Sequence, residues 1–243
     1  MEQKICQIEH HAVLYGLLAK FAMDQGDAGH QAMIAATRKY GLERGQRMAR
    51  HAKQEGIICC GETYPIFKEW RPSYPGQMLA GTTYNLPHCT TTVKRCEWVE
   101  SWKKHELLAY GKLYCQYIDE NLYNGYQSIH RLSVHSLLSA GDSCCTFDWG
   151  YHRPEDADPT IEVQQREIGE KYIRNFNFHC GDLLHKISME LTAHLADTGV
   201  ALCLKALKQF IEIYGKGYYR VMLEEIEREG WNRQLPWLYE NDL

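Results

Sequence analysis

Apolar residues recur at helical spacing near the start of the chain: Val13, Leu14, Leu17, Leu18 and Phe21 share one stripe of residues 9–23, which predicts a helix. Gly26 ends it and Asp27 caps a second helix over 28–54, with Met33, Ala36, Tyr40 and Met48 facing inward. Gly41 and Gly45 lie inside that helix, where they weaken it or admit the close approach of a neighbour or ligand. The two form a hairpin with His10-His11 at its entrance. The pattern changes over 56–92. Prolines 65, 72, 75 and 87 and glycines 61, 76 and 81 break any long helix, while Tyr64, Phe67, Trp70, Tyr74 and Tyr84 supply bulk. Loops and short strands are expected there, forming a lid or one wall of a pocket.

Residues 93–98 suit a strand or a lead into the next helix, which spans 97–122 with a break near Lys104-His105. A turn at Asn124-Gly125 follows. Residues 129–138 then alternate, as do Cys145, Phe147 and Trp149 beyond the turn at Ala140-Gly141-Asp142-Ser143, so a β-hairpin is expected, although a helix over 129–139 fits the same pattern. A four-residue turn centred between Gly141 and Asp142 sets Leu138 opposite Cys145 and leaves His135 nearer Asp148. The charged, proline-bearing stretch 152–160 reads as a linker. Residues 161–230 read as almost wholly helical, with breaks at Gly199 and at Gly215 and Gly217, and 231–243 as a tail that tucks Trp237 and Leu238 against the body. The fold class is therefore α+β: a small antiparallel sheet flanked by an N-terminal helical hairpin and C-terminal helices. The region 1–152 holds the sheet and hairpin, and 160–243 is a helical region packed on it as one unit. An internal echo accompanies this layout. Tyr40-Gly41 and Tyr214-Gly215 each begin a stretch ending in Glu-Gly, at 55–56 and 229–230, with Met48 and Met222, and His11 and His185, at the same offset. It suggests two related hairpins flanking the central segment.

Composition narrows the classes. With 44% hydrophobic and 24% charged residues, the 243-residue chain can bury a sizeable core. A net charge of −4 disfavours nucleic-acid binding through phosphate neutralisation. Nothing approaches the apolar run that a membrane span needs. The ten cysteines, in a chain opening Met1-Glu2-Gln3-Lys4, fit reduced thiols in the cytoplasm rather than a secreted disulfide framework. His88-Cys89, His179-Cys180 and His185 offer soft ligands, yet no CxxC or HExxH spacing occurs and no metal site is expected. Gly41-x-x-x-Gly45 lacks the Lys-Ser/Thr of a phosphate loop, so no cofactor is expected either.

The chemistry concentrates in 115–149. Cys115 and Asp119 fall one helical turn apart on a stripe shared with Leu108 and Leu122, and a carboxylate among leucines needs a partner, a shifted pKa or a job. Asp119 is the candidate general base or partner of a substrate cation, with Asp142 at the hairpin turn as second carboxylate. Cys115 beside a carboxylate is disfavoured as a thiolate and lines the pocket. Cys145 is the better thiol for a covalent route, although the turn geometry does not favour His135 as its base. Arg44 suits a substrate carboxylate through its planar fork. Each has a plainer role: Asp142 as a turn residue, both thiols as core fillers, Arg44 as a solvated helix residue.

Cys96 with Trp102, Tyr114-Cys115, Asp119, Gly125-Tyr126, Gly141-Asp142 and Cys145-Thr146-Phe147 together resemble the L-2-amino-thiazoline-4-carboxylic acid hydrolase family. His11-Ala12, Tyr15, Tyr40-Gly41 and Arg44-Gly45 are similar to it as well, so the resemblance runs over residues 10 to 150. Two positions depart: Gln127 stands where the family often has Asn, and Glu97 where it tends to place Pro. The resemblance implies a hydrolase that adds water to the C=N carbon of a small cyclic amidine, with His11, Tyr15 and Trp102 joining Arg44 as substrate-binding candidates. A non-catalytic small-molecule sensor and a tailoring enzyme acting on a related ring are the alternatives. The partner expected is a small-molecule substrate, with the C-terminal helices available for a homo-oligomer.

Overall fold

The computed structural model describes residues 4–83, 88–152 and 160–240. Eight α-helices and four strands lie in these residues: α1 Ile8–Met23, α2 Asp27–Gln54, β1 Met78–Thr83, β2 Thr90–Cys96, α3 Glu97–Lys104, α4 Leu108–Tyr126, β3 Ser133–Ser136, β4 Cys145–Asp148, α5 Thr160–Glu167, α6 Phe176–Tyr214, α7 Lys216–Arg228 and α8 Trp237–Glu240. The fold is α+β, with an antiparallel sheet in the order β1-β2-β4-β3. The expected linker lies largely at 153–159, outside the described residues.

Two compact units form, each from separated stretches of chain. One comprises residues 1–37, 97–114 and 175–243; the other comprises 38–96 and 115–174. Helices α2 and α4 therefore each contribute residues to both.

In the first unit, α1 is apolar on nearly every side and buried accordingly, packing against α6 and α3. α6 begins at Asn175, whose side chain accepts from Phe178 N at 3.2 Å. It is interrupted at Ala196, with φ 48°. A Cβ on Gly199 would meet Leu191 O at 2.3 Å, a contact that requires the chain to fold back on itself. The break expected at Gly199 thus falls three residues earlier. The break at Gly215 is present, with φ +89° between α6 and α7. Leu238 is buried and its carbonyl accepts from Tyr219 OH at 2.7 Å. The echo has a structural counterpart: α2 and α7 end in the same cap. Ile57 N donates to Ala52 O and Trp231 N to Ile226 O, around Gly56 and Gly230 at φ +70° and +75°.

In the second unit, the sheet packs with Met48, Ala52, Phe67, Leu122, Tyr123 and Tyr126 around one core. Val134 pairs with Phe147 and Ser136 with Thr146, with a bulge between them. His135 stands 4.0 Å from Asp148 and Leu138 N 3.3 Å from Cys145 Sγ, although Asp148 pairs with Ser133, two residues from the expected register. Three expectations change. The strand expected over 129–138 is only four residues long and gives way to a 3₁₀ turn at Leu138–Ala140. The helical run expected from 161 is interrupted by a 3₁₀ turn at Gly169–Tyr172, and α6 starts at Phe176. And Asn124-Gly125 is not a turn but part of α4. Its glycine is a contact point: a Cβ there would sit 2.2 Å from Leu42 O of α2.

Candidate functional site

The crossing of α2 and α4 within the second unit is built on glycine. A Cβ on Gly45 would lie 2.0 Å from Leu122 O, and one on Gly41 2.9 Å from Ile118 O. The two backbones touch, which no other residue allows at 45. Of the two roles open to these glycines, close approach of a neighbour is the one realised. The crossing brings Arg44, one residue from Gly45, into electrostatic range of Asp119, one residue from Ile118.

Arg44 is 5% exposed, and its Nε donates to Glu69 Oε2 at 3.4 Å. Arg47, one turn on, holds the same carboxylate in a fork, 2.6 Å to Oε1 and 2.9 Å to Oε2. Glu69, 2% exposed, follows the 3₁₀ turn Tyr64–Phe67. One buried carboxylate thus sits against two guanidiniums.

Asp119 is half-buried and, among the described residues, takes part in no hydrogen bond or ion pair. Burial raises its pKa to about 6, against the opposing pull of Arg44 and Lys68. Lys68 is exposed to solvent, yet burial is the largest influence on its ammonium and lowers its pKa, while Asp119 raises it. The Lys68 ammonium lies over the Tyr64 ring, 5.9 Å from its centre, and Tyr64 packs on Tyr123, Tyr126 and Trp149 at 5.2, 5.6 and 5.4 Å. Lys68 thus lies beside an aromatic cluster and within electrostatic range of Asp119.

The thiols nearby are poor nucleophiles. Burial pushes Cys115 well above the usual thiol range, and Cys96, Asp119 and Cys145 push it further, outweighing a favourable contact from Ser139. Cys145 is raised by burial too, despite the Leu138 N–H directed at its sulfur. His135 is exposed and paired towards Asp148, so it supplies Cys145 with no base.

Four of the eight residues singled out by sequence gather here: Asp119, Cys115, Cys145 and Arg44. Asp142 does not, because it is exposed and its Oδ2 accepts from Leu137 N at 2.7 Å, the work of a turn residue. His11, Tyr15 and Trp102 belong to the first unit and are at most 1% exposed. His11 Nδ1 accepts from Trp98 Nε1 at 3.1 Å, Tyr15 OH pairs with Thr37 Oγ1 at 2.7 Å, and Trp102 Nε1 donates to Ala12 O at 2.7 Å. They are core residues with these polar atoms engaged inside the protein. Arg44 is likewise committed to Glu69 rather than presented as a clamp. Sequence reasoning missed Lys68, Glu69 and Tyr64, all inside the proline-broken stretch read only as loop. Two arginines one turn apart on α2 were the available sign that a carboxylate must meet them.

Among the described residues, no group of His, Cys, Asp and Glu is arranged to hold a metal ion, and no helix is long and apolar enough to cross a membrane. Neither the curated proteins nor the solved structures contain a match to the chain. The family model of L-2-amino-thiazoline-4-carboxylic acid hydrolase matches residues 6–149, a span that includes Arg44, Lys68, Glu69, Cys115, Asp119 and Cys145. A match over more than half of its length, carrying the Cys115–Asp119 helix and the Cys145 strand, makes this chain a member of that hydrolase family.

Proposed function

We propose that the chain hydrolyses a small nitrogen heterocycle of the 2-amino-thiazoline-carboxylate kind, with Asp119 as the general base. The observation that carries this reading is the Asp119 carboxylate itself: half-buried, unpaired, and raised to about 6. A carboxylate kept without a partner costs stability, and a pKa near neutrality suits proton transfer at working pH.

In the step proposed, a water oxygen bonds to the ring carbon between nitrogen and sulfur while Asp119 takes the proton released. The tetrahedral adduct collapses to the carbonyl with rupture of one ring bond: its hydroxyl proton passes to solvent, and Asp119 returns the first proton to the departing ring atom. The product is a carbamoyl amino acid, the ring plus one water. Before attack the same carboxylate is a charge-assisted partner for the amidinium of the ring. Direct attack by water is favoured over a covalent route because burial raises both Cys115 and Cys145.

The test is mass spectrometry of cyclic amidines, lactams and thiazolines incubated with the protein, reading the gain of one water. Asp119→Asn is expected to lower turnover by about a hundredfold or more while ring binding persists. In the wild type, kcat/KM should rise with pH through about 6 and level off above, because the base must be ionised. Full activity in Asp119→Asn would overturn the proposal.

A further inference from the structure

Helix α6 turns back on itself without a loop. Ala196, at φ 48° and ψ −130°, leaves helical geometry, with helix on both sides of it. Residues eight apart in a continuous helix are separated by about 12 Å, yet a Cβ on Gly199 would stand 2.3 Å from Leu191 O. The halves 176–195 and 197–214 therefore make a hairpin whose return occupies a single residue. That residue is alanine, the best helix former of all and one that seldom takes a positive φ. Backbone strain is held at the point where local preference asks for a straight helix. Beyond the kink lies much of the burial of this unit. Leu202, Cys203, Ala206, Leu207 and Phe210 are buried, and α6 packs against α1 and α7. His185, in the first half, stacks on Trp231 with ring centres 4.8 Å apart and lies 2.6 Å from Gln234 Oε1. Nothing in these contacts requires that the two halves belong to one chain.

We propose that α6 straightens at Ala196 and that two copies of this chain then exchange residues 197–240, forming a domain-swapped dimer. Straightening releases the strain at Ala196 and restores the intrahelical hydrogen bonds lost at the kink. The buried contacts away from the kink are remade with the partner copy, so the occupant of the vacated face is fixed: the same segment of a second chain. Gly199 acts in the opposite sense. It admits the tight return, and as a glycine in a helix interior it disfavours the straight form. The proposal is independent of the chemistry at Asp119.

The test refolds the full chain from urea at low and at high protein concentration and reads mass by light scattering after gel filtration. The concentrated sample is expected to yield a dimer. Once isolated, that dimer should survive dilution, because its separation requires unfolding of the exchanged segment. Ala196→Gly relieves the hairpin and should lower the dimer fraction by about tenfold. Gly199→Ala, whose Cβ the hairpin does not admit, should raise it by about as much. Circular dichroism shows whether each variant folds. Should Gly199→Ala fail to fold, insertion of two glycines after Ala196 takes its place and is expected to reduce the dimer. A chain that stays monomeric at high concentration overturns the proposal. So does a dimer that dissociates at once on dilution, or one that Ala196→Gly leaves unchanged or increases.

Discussion

Asp119, the proposed base, weakens the fold that carries it. Its carboxyl is raised from 3.8 to about 6, so the folded state binds that proton more tightly than the unfolded chain does. Below about pH 4 both states are protonated and the charge costs nothing; above about pH 6 the folded protein carries the full penalty. Asp119→Asn should therefore be more stable than the wild type at pH 8, by about 1–3 kcal/mol, and equal to it near pH 4. Urea titrations at the two values check this. A variant more stable and inactive is the signature of a site kept under strain for its chemistry. The i,i+4 pair of Cys115 and Asp119 was legible in sequence because helical spacing is local. The approach of Lys68 to the charge of Asp119 was not, since the two lie far apart in sequence. His11, Tyr15 and Trp102 are buried in the core, and a motif residue and a core residue look alike until burial is known.

At the scale of elements, the crossing of α2 and α4 sets Arg44 within electrostatic range of Asp119. Ala is the better helix former by about 1 kcal/mol in a helix interior, so Gly45→Ala would stabilise a free helix. Here its Cβ would stand 2.0 Å from Leu122 O, and backbone cannot yield as a side chain tip does. The expected loss is about 3 kcal/mol or more, measured by chemical denaturation, with a parallel loss of activity as Arg44 and Asp119 part. The elements themselves were readable from periodicity, including the break at Lys104-His105, where Glu106 adopts φ 58°. What periodicity could not supply was the length of α4. Asn124-Gly125 has the composition of a turn, and only the carbonyl of Leu42 explains why it stays helical.

Across the whole molecule, the first unit is assembled from segments far apart in sequence, and one carboxylate ties three of them. Glu9 Oε1 accepts from Lys104 Nζ and His105 Nε2 at 2.8 Å each and from Tyr214 OH at 3.1 Å. Burial alone would raise Glu9, but these three hydrogen bonds outweigh it and hold the pKa at about 2. A depressed carboxyl contributes stability that is complete above the unfolded value of 4.5 and is lost as pH falls towards 2. Glu9→Gln should thus cost about 1–2 kcal/mol at pH 7, after allowance for the exposed Lys104, and nothing near pH 2. Thermal melts across that range follow it. Such long-range ties leave no trace in local pattern, which is why the sequence shows the helices of this unit but not their assembly.

The glycine crossing has one further consequence. Where side chains space two helices, a change of one methyl group resets the gap, and drift in the core moves whatever the helices carry. Where main chain rests on main chain, the gap is a constant of the peptide unit. Substitutions among the surrounding apolar residues will then tax stability long before they detune the field at Asp119, so the electrostatics at that carboxylate should outlast wide variation in the core.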